Sequence, residues 1–308
     1  MRGIMYDLII IGSGPAGLSA AVYGKRAGLE LLVIEKSGMS GGQVLNTYEV
    51  DNYLGMQGMN GFDMGMQFRA HADNLGVSFM DETVLKIEKG EGTHIVVTDG
   101  SRLETKTVII ATGASHAALG VNGESELSGM GVSYCATCDG AFFKNRTVAV
   151  VGGGDVAAED AIFLARTCQK VYLVHRRDEL RAAKILQEKL KELSNVEILW
   201  NHIVTEIEGK NQVERMRLQN TKDHTEEIKE IDGIFIAVGI KPNTFNIEGM
   251  PKTDKGGYIE AGEDCGTSEE GIFAAGDVRT KKLRQIVTAV ADGANAVTSV
   301  QEYLLHNF

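Results

Sequence analysis

One device occurs twice in this chain and restricts its fold more than any other feature. In YDLIIIGSGPAGLSAAVYGKRAGLELLVIEK, an apolar run from Leu8 to Ile11 leads into Gly12-x-Gly14-x-x-Gly17. An alanine-rich helical stretch follows, then a second apolar run from Leu31 to Ile34. That order predicts a β-α-β unit. Gly12 permits the tight turn, Gly14 lets the backbone approach a pyrophosphate, and Gly17 lets helix and strand pack closely. Phosphates would meet the free N–H groups at the helix N-terminus, with Ser13, Pro15 and Ala16 completing the turn. Glu35, at the tip of the second strand, is an acid placed to accept hydrogen bonds from a ribose, and Lys36 stands beside it.

The second copy lies in RTVAVVGGGDVAAEDAIFLARTCQKVYLVHRRDELR. A strand from Val148 to Val151 precedes Gly152-x-Gly154-x-x-Ala157, with Asp155 and Val156 inside the turn; a helix and a strand from Val171 to Val174 follow. Glu35 stands 23 positions after Gly12, and 23 positions after Gly152 stands His175, followed by Arg176 and Arg177. Exchanging the acid for arginines suits a ribose that carries a 2′-phosphate. Arg181 comes four positions after Arg177, one turn along a helix expected to begin there, so that both face the same anion. The first site suits FAD or NAD and the second NADP. Two nicotinamides have little to exchange, whereas a nicotinamide and a flavin form an electron path.

The predicted class is therefore α/β, with two Rossmann-like dinucleotide-binding domains and the second inserted in the first. Two strand-like runs bracket the second unit: ETKTVIIATGA, with Ala111, Thr112 and Gly113 at its end, and IDGIFIAVGIKPNT, with Val238 and Gly239. Near the C-terminus, EGIFAAGDV reads as a strand ending in Gly276-Asp277, followed by an amphipathic closing helix. Crossings near Ala114–Gly123 and Lys241–Asn246 place residues 1–116 and 246–308 in an FAD-binding domain and 117–245 in an NADPH-binding domain. A length of 308 residues is too much for one ordinary core. The formal net charge of -11 argues against a nucleic-acid partner. Four cysteines do not make a disulfide-stapled secreted domain, and the N-terminal run has an Asp and glycines that a signal peptide lacks. No apolar run reaches about 18 residues, so no membrane span is expected and a cytoplasmic protein is.

With these residues in view, the chain resembles the bacterial low-molecular-weight thioredoxin reductases. The resemblance runs over essentially the whole length and rests on GSGPAG, GGQ, ATGA, CATCDG, GGGDVAAEDA, HRRDELRA, FAAGDV and RQIVTAVADGANA, in that order. It implies FAD in the first domain, NADPH in the second, a thioredoxin-like disulfide protein as partner, and a homodimer. It also implies that Gly42, Gln43, Thr47 and Asn52 lie near the flavin, with Val84 in the same set. Asp277 is implied near the ribityl and phosphate region, and Arg284, Gln285 and Ile286 over the isoalloxazine. Relatives that draw on ferredoxin lack the nicotinamide motif, which this chain keeps.

YCATCDGAFF holds Cys135 and Cys138, three positions apart, and Asp139. A structural zinc site wants four ligands, commonly two such pairs, and here there is one; no metal site is expected. A disulfide across so short a loop removes little unfolded-state entropy, so a staple is a weak reading. Cycling between disulfide and dithiol remains. Asp139 is a candidate general acid, or the N-cap of a helix starting there. The resemblance implies that Cys138 is the sulfur nearer the flavin and that Cys135 attacks the partner. Both the cysteines and the nicotinamide must reach one flavin ring, so a hinge is expected at the crossings, through Gly113, Gly120, Gly123, Gly239 and Lys241-Pro242-Asn243.

Overall fold

The apolar run before Gly12 becomes the strand Tyr6–Ile11, and its last four residues are almost completely buried. A computed structural model describes residues 5–47, 50, 52–90, 92–244 and 247–308; Phe245 and Asn246, at the end of the expected second crossing, lie outside the described residues. The chain divides into two compact units. One comprises Met1–Thr47, Tyr53–Ser115 and Lys241–Phe308, the other Tyr48–Asn52 and His116–Ile240.

In the first unit the described residues form a seven-stranded sheet. Its order is Ser78–Asp81, Leu31–Glu35, Tyr6–Ile11, Arg102–Ile110, His94–Thr98, Val84–Lys89, and Ile272–Ala274 adds to the far half of Arg102–Ile110. The strands Ser78–Asp81, Leu31–Glu35, Tyr6–Ile11, Arg102–Ile110 and Ile272–Ala274 pair in parallel; the other two close an antiparallel meander. Tyr6–Ile11 reads as a continuous apolar run because both its faces are covered. Leu8 and Ile10 pack with the helices Pro15–Arg26 and Ile286–Asn307. Ile9 and Ile11 pack on the opposite side with Leu32, Ile34, Val84 and Ile87. The two helices approach at Gly293, where a Cβ would lie 2.2 Å from the Ala16 carbonyl oxygen. Ser19 Oγ donates to the Val290 carbonyl across the same contact, at 2.7 Å.

The second unit repeats the plan. Among the described residues, five parallel strands run in the order Val196–Trp200, Lys170–His175, Thr147–Gly152, Gly233–Ala237, Val132–Ser133. The helix Asp155–Leu164 lays Ala157, Ala161 and Leu164 on Val148 and Val150. The other face, with Ala149 and Val151, is covered by an antiparallel sheet of His202–Glu208, Arg215–Asn220 and Glu226–Glu230 through Val204, Ile207, Met216 and Leu218. The helix expected to begin at Arg176 begins later, at Lys184, and runs to Glu192. Leu180 and Ala182 are buried while Arg181 and Ala183 are exposed, an alternation that an extended segment makes and a helix does not. Arg177 and Arg181 therefore do not share a helical turn.

Candidate redox turn and dinucleotide sites

The first glycine turn is shaped by lack of space. Gly12 has φ +101° and a Cβ there would stand 2.6 Å from the Ala111 carbonyl oxygen; one at Gly17 would stand 1.9 Å from the Gly12 oxygen. Any larger residue would separate strand from helix. Two further segments close on the same turn. The Gly41 N–H donates to the Ser13 carbonyl at 2.8 Å, which brings Gly42 and Gln43 beside it. Gly276, at φ +80°, has room for no Cβ because Ala16 would lie 2.8 Å away, and this seats Asp277 next to the helix start.

Glu35 reaches back to the turn. Ser13 donates to Glu35 Oε2 from its N–H at 2.9 Å and its hydroxyl at 2.8 Å, and Ser37 donates twice to Oε1. Burial opposes the charge, but these donors outweigh it and hold the carboxyl below the usual glutamate range. Asp277 Oδ1 and Arg284 Nε are buried without a hydrogen-bond partner among the described residues. Burial raises the Asp277 carboxyl's pKa. The Arg284 guanidinium lies 4.1 Å from the Tyr258 ring centre. Buried polar atoms without partners fit a ligand that supplies hydrogen bonds, as a dinucleotide does. Gln285 caps the closing helix in a reciprocal box with Thr288. Thr112 is tied to Asn243 by two bonds of 2.9 Å. Lys36 is exposed and Val84 buried. Asn52 groups with the second unit.

Sequence reading missed what holds Gly276. Asp292, on the closing helix, accepts from the Gly276 N–H at 2.9 Å, from Arg279 Nε and Nη2 at 2.9 and 2.7 Å, and from Lys281 Nζ at 2.8 Å. All three side chains are buried. Burial works against the Asp292 charge, and the Arg279 and Lys281 donors overcome it to lower its pKa. The available signal was a single acid within the apolar stretch VTAVADGANAV.

The second turn uses different props. A Cβ at Gly152 would meet the Ala237 oxygen at 2.5 Å. His175 is buried, with Nδ1 3.0 Å from the Gly152 carbonyl, and a Cβ at Gly153 would strike its ring at 2.2 Å. Burial lowers its pKa, so it supports the loop as a neutral ring. Arg176, Arg177 and Arg181 are exposed, and none is ion-paired among the described residues. Their backbone is pinned: the Arg181 N–H donates to the Gly153 carbonyl at 2.7 Å, and Asn201 N–H donates to the Arg177 carbonyl at 3.1 Å. The Asp155 carboxylate accepts from the Ala183 N–H at 2.7 Å. No atom lies near a Cβ built on Gly154, while Val156 and Val238 are exposed and Gly239 has φ +134°. An open turn beside three uncompensated guanidiniums fits a dinucleotide with an extra phosphate.

Cys135 and Cys138 form a disulfide with Cα atoms 5.3 Å apart. Both are half-buried and Thr137 between them is exposed. Asp139 ends the short helix Ala136–Asp139 and stands at the N-cap position of the 3-10 helix Gly140–Phe143 that follows, but its side chain makes no capping bond there. Burial raises its pKa while a bond from Ser133 lowers it, leaving a net rise. A carboxyl that keeps its proton to higher pH suits an acid. Cys168 and Cys265 are buried thiols, and among the described residues no group of three or more His, Cys, Asp or Glu could hold a metal ion. No helix of the described residues is long and apolar enough to cross a membrane.

These features coincide with those of known proteins. The family described as pyridine nucleotide-disulphide oxidoreductase matches residues 6–293. Thioredoxin reductase of Listeria innocua is 46% identical over 97% of this chain and 94% of its own. That of Bacillus subtilis is 44% identical over 97% and 95%. The crystal structure of thioredoxin reductase from Streptococcus pyogenes superposes with a TM-score of 0.93 at 44% identity, covering 98% of this chain and 99% of that one.

The buried triad makes a prediction. Asp292→Asn leaves Arg279 and Lys281 without a countercharge and should cost about 3–5 kcal/mol near neutral pH. The wild-type carboxyl has a lowered folded pKa, so its contribution is complete above the unfolded value and is lost as pH falls through the folded one. Urea unfolding should therefore show the two proteins converging below about pH 4. A gap that stays constant into acid would contradict this account.

Proposed function

Because the chain belongs to the pyridine nucleotide-disulphide oxidoreductase family, we infer that it is an NADPH-dependent flavoenzyme that passes electrons through FAD and the Cys135–Cys138 disulfide to thioredoxin. The observation that carries this reading is the disulfide itself, set beside a carboxyl whose pKa burial raises, in a unit that also bears a glycine turn and three exposed arginines without ion pairs among the described residues. When bound, FAD accepts a hydride equivalent from NADPH and supplies the electron pair that opens a disulfide.

The chain's own residues do the rest. The N–H groups of Gly14, Ala16 and Gly17 would meet the pyrophosphate of FAD and Glu35 its ribose, while Asp277 and Arg284 would offer their buried polar atoms to the remainder. Gly152 to Ala157 form the NADPH turn, and Arg176, Arg177 and Arg181 take the 2′-phosphate. Asp139 gives a proton to one sulfur as the disulfide opens. Cys135 then attacks the thioredoxin disulfide as a thiolate, forming a mixed disulfide and expelling a thioredoxin thiolate. Cys138 attacks the Cys135 sulfur, which releases reduced thioredoxin and restores the Cys135–Cys138 bond. The assignment of Cys135 as attacker rests on the family resemblance. The same resemblance supports a cytoplasmic homodimer, and sedimentation velocity would show a single species of monomer mass if that is wrong. The domain reading is FAD on residues 1–116 and 246–308 and NADPH on 117–245, supported by a glycine turn in each of the two compact units.

Cys138→Ser should retain FAD and still bleach with NADPH, yet lose thioredoxin reduction; full turnover in that variant would refute the redox assignment. Neutral residues at both Arg176 and Arg177 remove two charge-assisted contacts of about 1.5–3 kcal/mol each. NADPH should then weaken by roughly 10²- to 10⁴-fold while NADH barely changes. Unchanged kinetic constants for NADPH would mean that the phosphate is read elsewhere.

A further inference from the structure

Ser133 precedes the redox turn and carries no role in any motif. It ends the short strand Val132–Ser133, which pairs in parallel with Gly233–Ala237 through Phe235, and it is 5% exposed. Its position is thus set by the sheet, whereas Asp139 sits at the end of a helix of only four residues. One bond joins them, and another ties Ser133 to the redox turn. The Cys135 N–H donates to Ser133 Oγ at 3.1 Å, and Ser133 Oγ donates to Asp139 Oδ2 at 2.6 Å. An N–H has no acceptor capacity, so the hydroxyl proton turns away from the backbone amide; of the two acceptors in reach, the Asp139 carboxyl at 2.6 Å is much nearer than the Cys135 carbonyl at 3.4 Å. The two Asp139 oxygens become unequal. Oδ2 is an acceptor already engaged, while Oδ1 is buried with no hydrogen-bond partner among the described residues.

We propose that Ser133 is a positioning residue for the disulfide step: held by the Cys135 N–H, its hydroxyl fixes the Asp139 carboxyl so that Oδ1 is the oxygen that delivers the proton. This rests on the reading of Cys135–Cys138 as the redox pair. The electron pair that reaches the disulfide from NADPH through FAD breaks the Sγ–Sγ bond. One sulfur remains a thiolate and the other takes the Asp139 proton; the resulting carboxylate recovers a proton from water. In the oxidised protein the carboxyl's environment is simple. Burial raises its pKa and the Ser133 bond lowers it. The packed helix Asp155–Leu164 carries Asp155, Glu159 and Asp160, the last with its pKa raised by burial to about 7, and the adjoining segments carry Glu124, Tyr134 and Lys144. Losing the hydroxyl removes a donor that favours the charged form, so the proton should be held to higher pH.

The test compares wild type, Ser133→Ala and Ser133→Thr, with Asp139→Asn as reference. Bleaching of bound flavin by NADPH certifies that each variant is folded and loaded. The first readout is infrared difference spectroscopy of the oxidised proteins through a pH titration, with the Asp139 carboxyl band assigned by its loss in Asp139→Asn. The midpoint should rise by about one pH unit in Ser133→Ala, the equivalent of about tenfold in proton affinity, and return in Ser133→Thr. The second is the rate of disulfide opening by rapid mixing. It should fall about tenfold in Ser133→Ala on the low-pH plateau. Its alkaline limb should move up with the infrared midpoint, and the threonine should restore both. A rate loss with neither midpoint nor limb displaced, or one that threonine does not restore, overturns the proposal, as does a wild-type profile in Ser133→Ala. Should Ser133→Ala fail to hold FAD, Ser133→Gly removes the same hydroxyl without adding volume and is read in the same way. Failure of wild type itself to reduce thioredoxin would instead refute the function on which the proposal stands.

Discussion

At Gly17 a single missing carbon decides the geometry of the first unit. A Cβ there would stand 1.9 Å from the Gly12 carbonyl oxygen, so only glycine lets the helix start directly behind the strand. The helix then opens at Pro15 with its free N–H groups at the end of the sheet, where Pro costs nothing because its position has no partner to lose. Everything else in that site is registered on this start. Gly41 bonds to Ser13, Gly276 rests on Ala16, and Gly293 admits the closing helix against the Ala16 carbonyl. Two of these contacts are backbone to backbone, and the third sets the Gly276 backbone against the Ala16 Cβ.

The two glycine turns solve one problem with opposite chemistry. In each, the residue 23 positions after the first glycine folds back to hold the loop. In the first, it is the Glu35 carboxylate, gripping Ser13 by amide and hydroxyl. In the second, it is the His175 ring, which meets the Gly152 carbonyl and occupies the volume that a side chain at position 153 would need. The prop in the first turn is itself a charge. The prop in the second is neutral, and the charge moves to the exposed arginines beside it. The charge in the second turn thus sits on neighbours of the equivalent residue, not on the residue itself.

The redox turn is braced on both sides. Ser133 ties the Cys135 backbone to Asp139, and the Tyr134 hydroxyl donates to Glu124 at 2.8 Å. Glu124 is buried and also accepts the Leu119 and Gly120 N–H groups, while burial and this acid push the Tyr134 pKa up to about 12. His116 stacks on the Tyr134 ring with centres 5.2 Å apart. A disulfide must open and close at this turn, and Ser133, Glu124 and His116, which hold its flanking residues, take no part in the bond change.

The β-α-β units, the insertion of one in the other and the cysteine pair were all legible in the sequence. Each rests on a local rule: glycine where backbones meet, apolar runs where both faces of a strand are covered, thiols close enough along the chain to bond. The short-range reading of Arg177 and Arg181 as one helical turn failed because burial of Leu180 and Ala182 draws that segment out straight, and the backbone bond from Arg181 to Gly153 holds it there. Asp292 with Arg279 and Lys281, Ser133 with Asp139, and the two orphaned atoms on Asp277 and Arg284 have no spacing that announces them. Their partners, or their lack of one, follow from burial and from which surfaces of helix and sheet come together. The chain's own letters determined where the two glycine turns and the cysteine pair would sit; only the packed structure decided which oxygen of Asp139 has no partner among the described residues, because a hydrogen bond is directional and its direction exists only once both groups are in place.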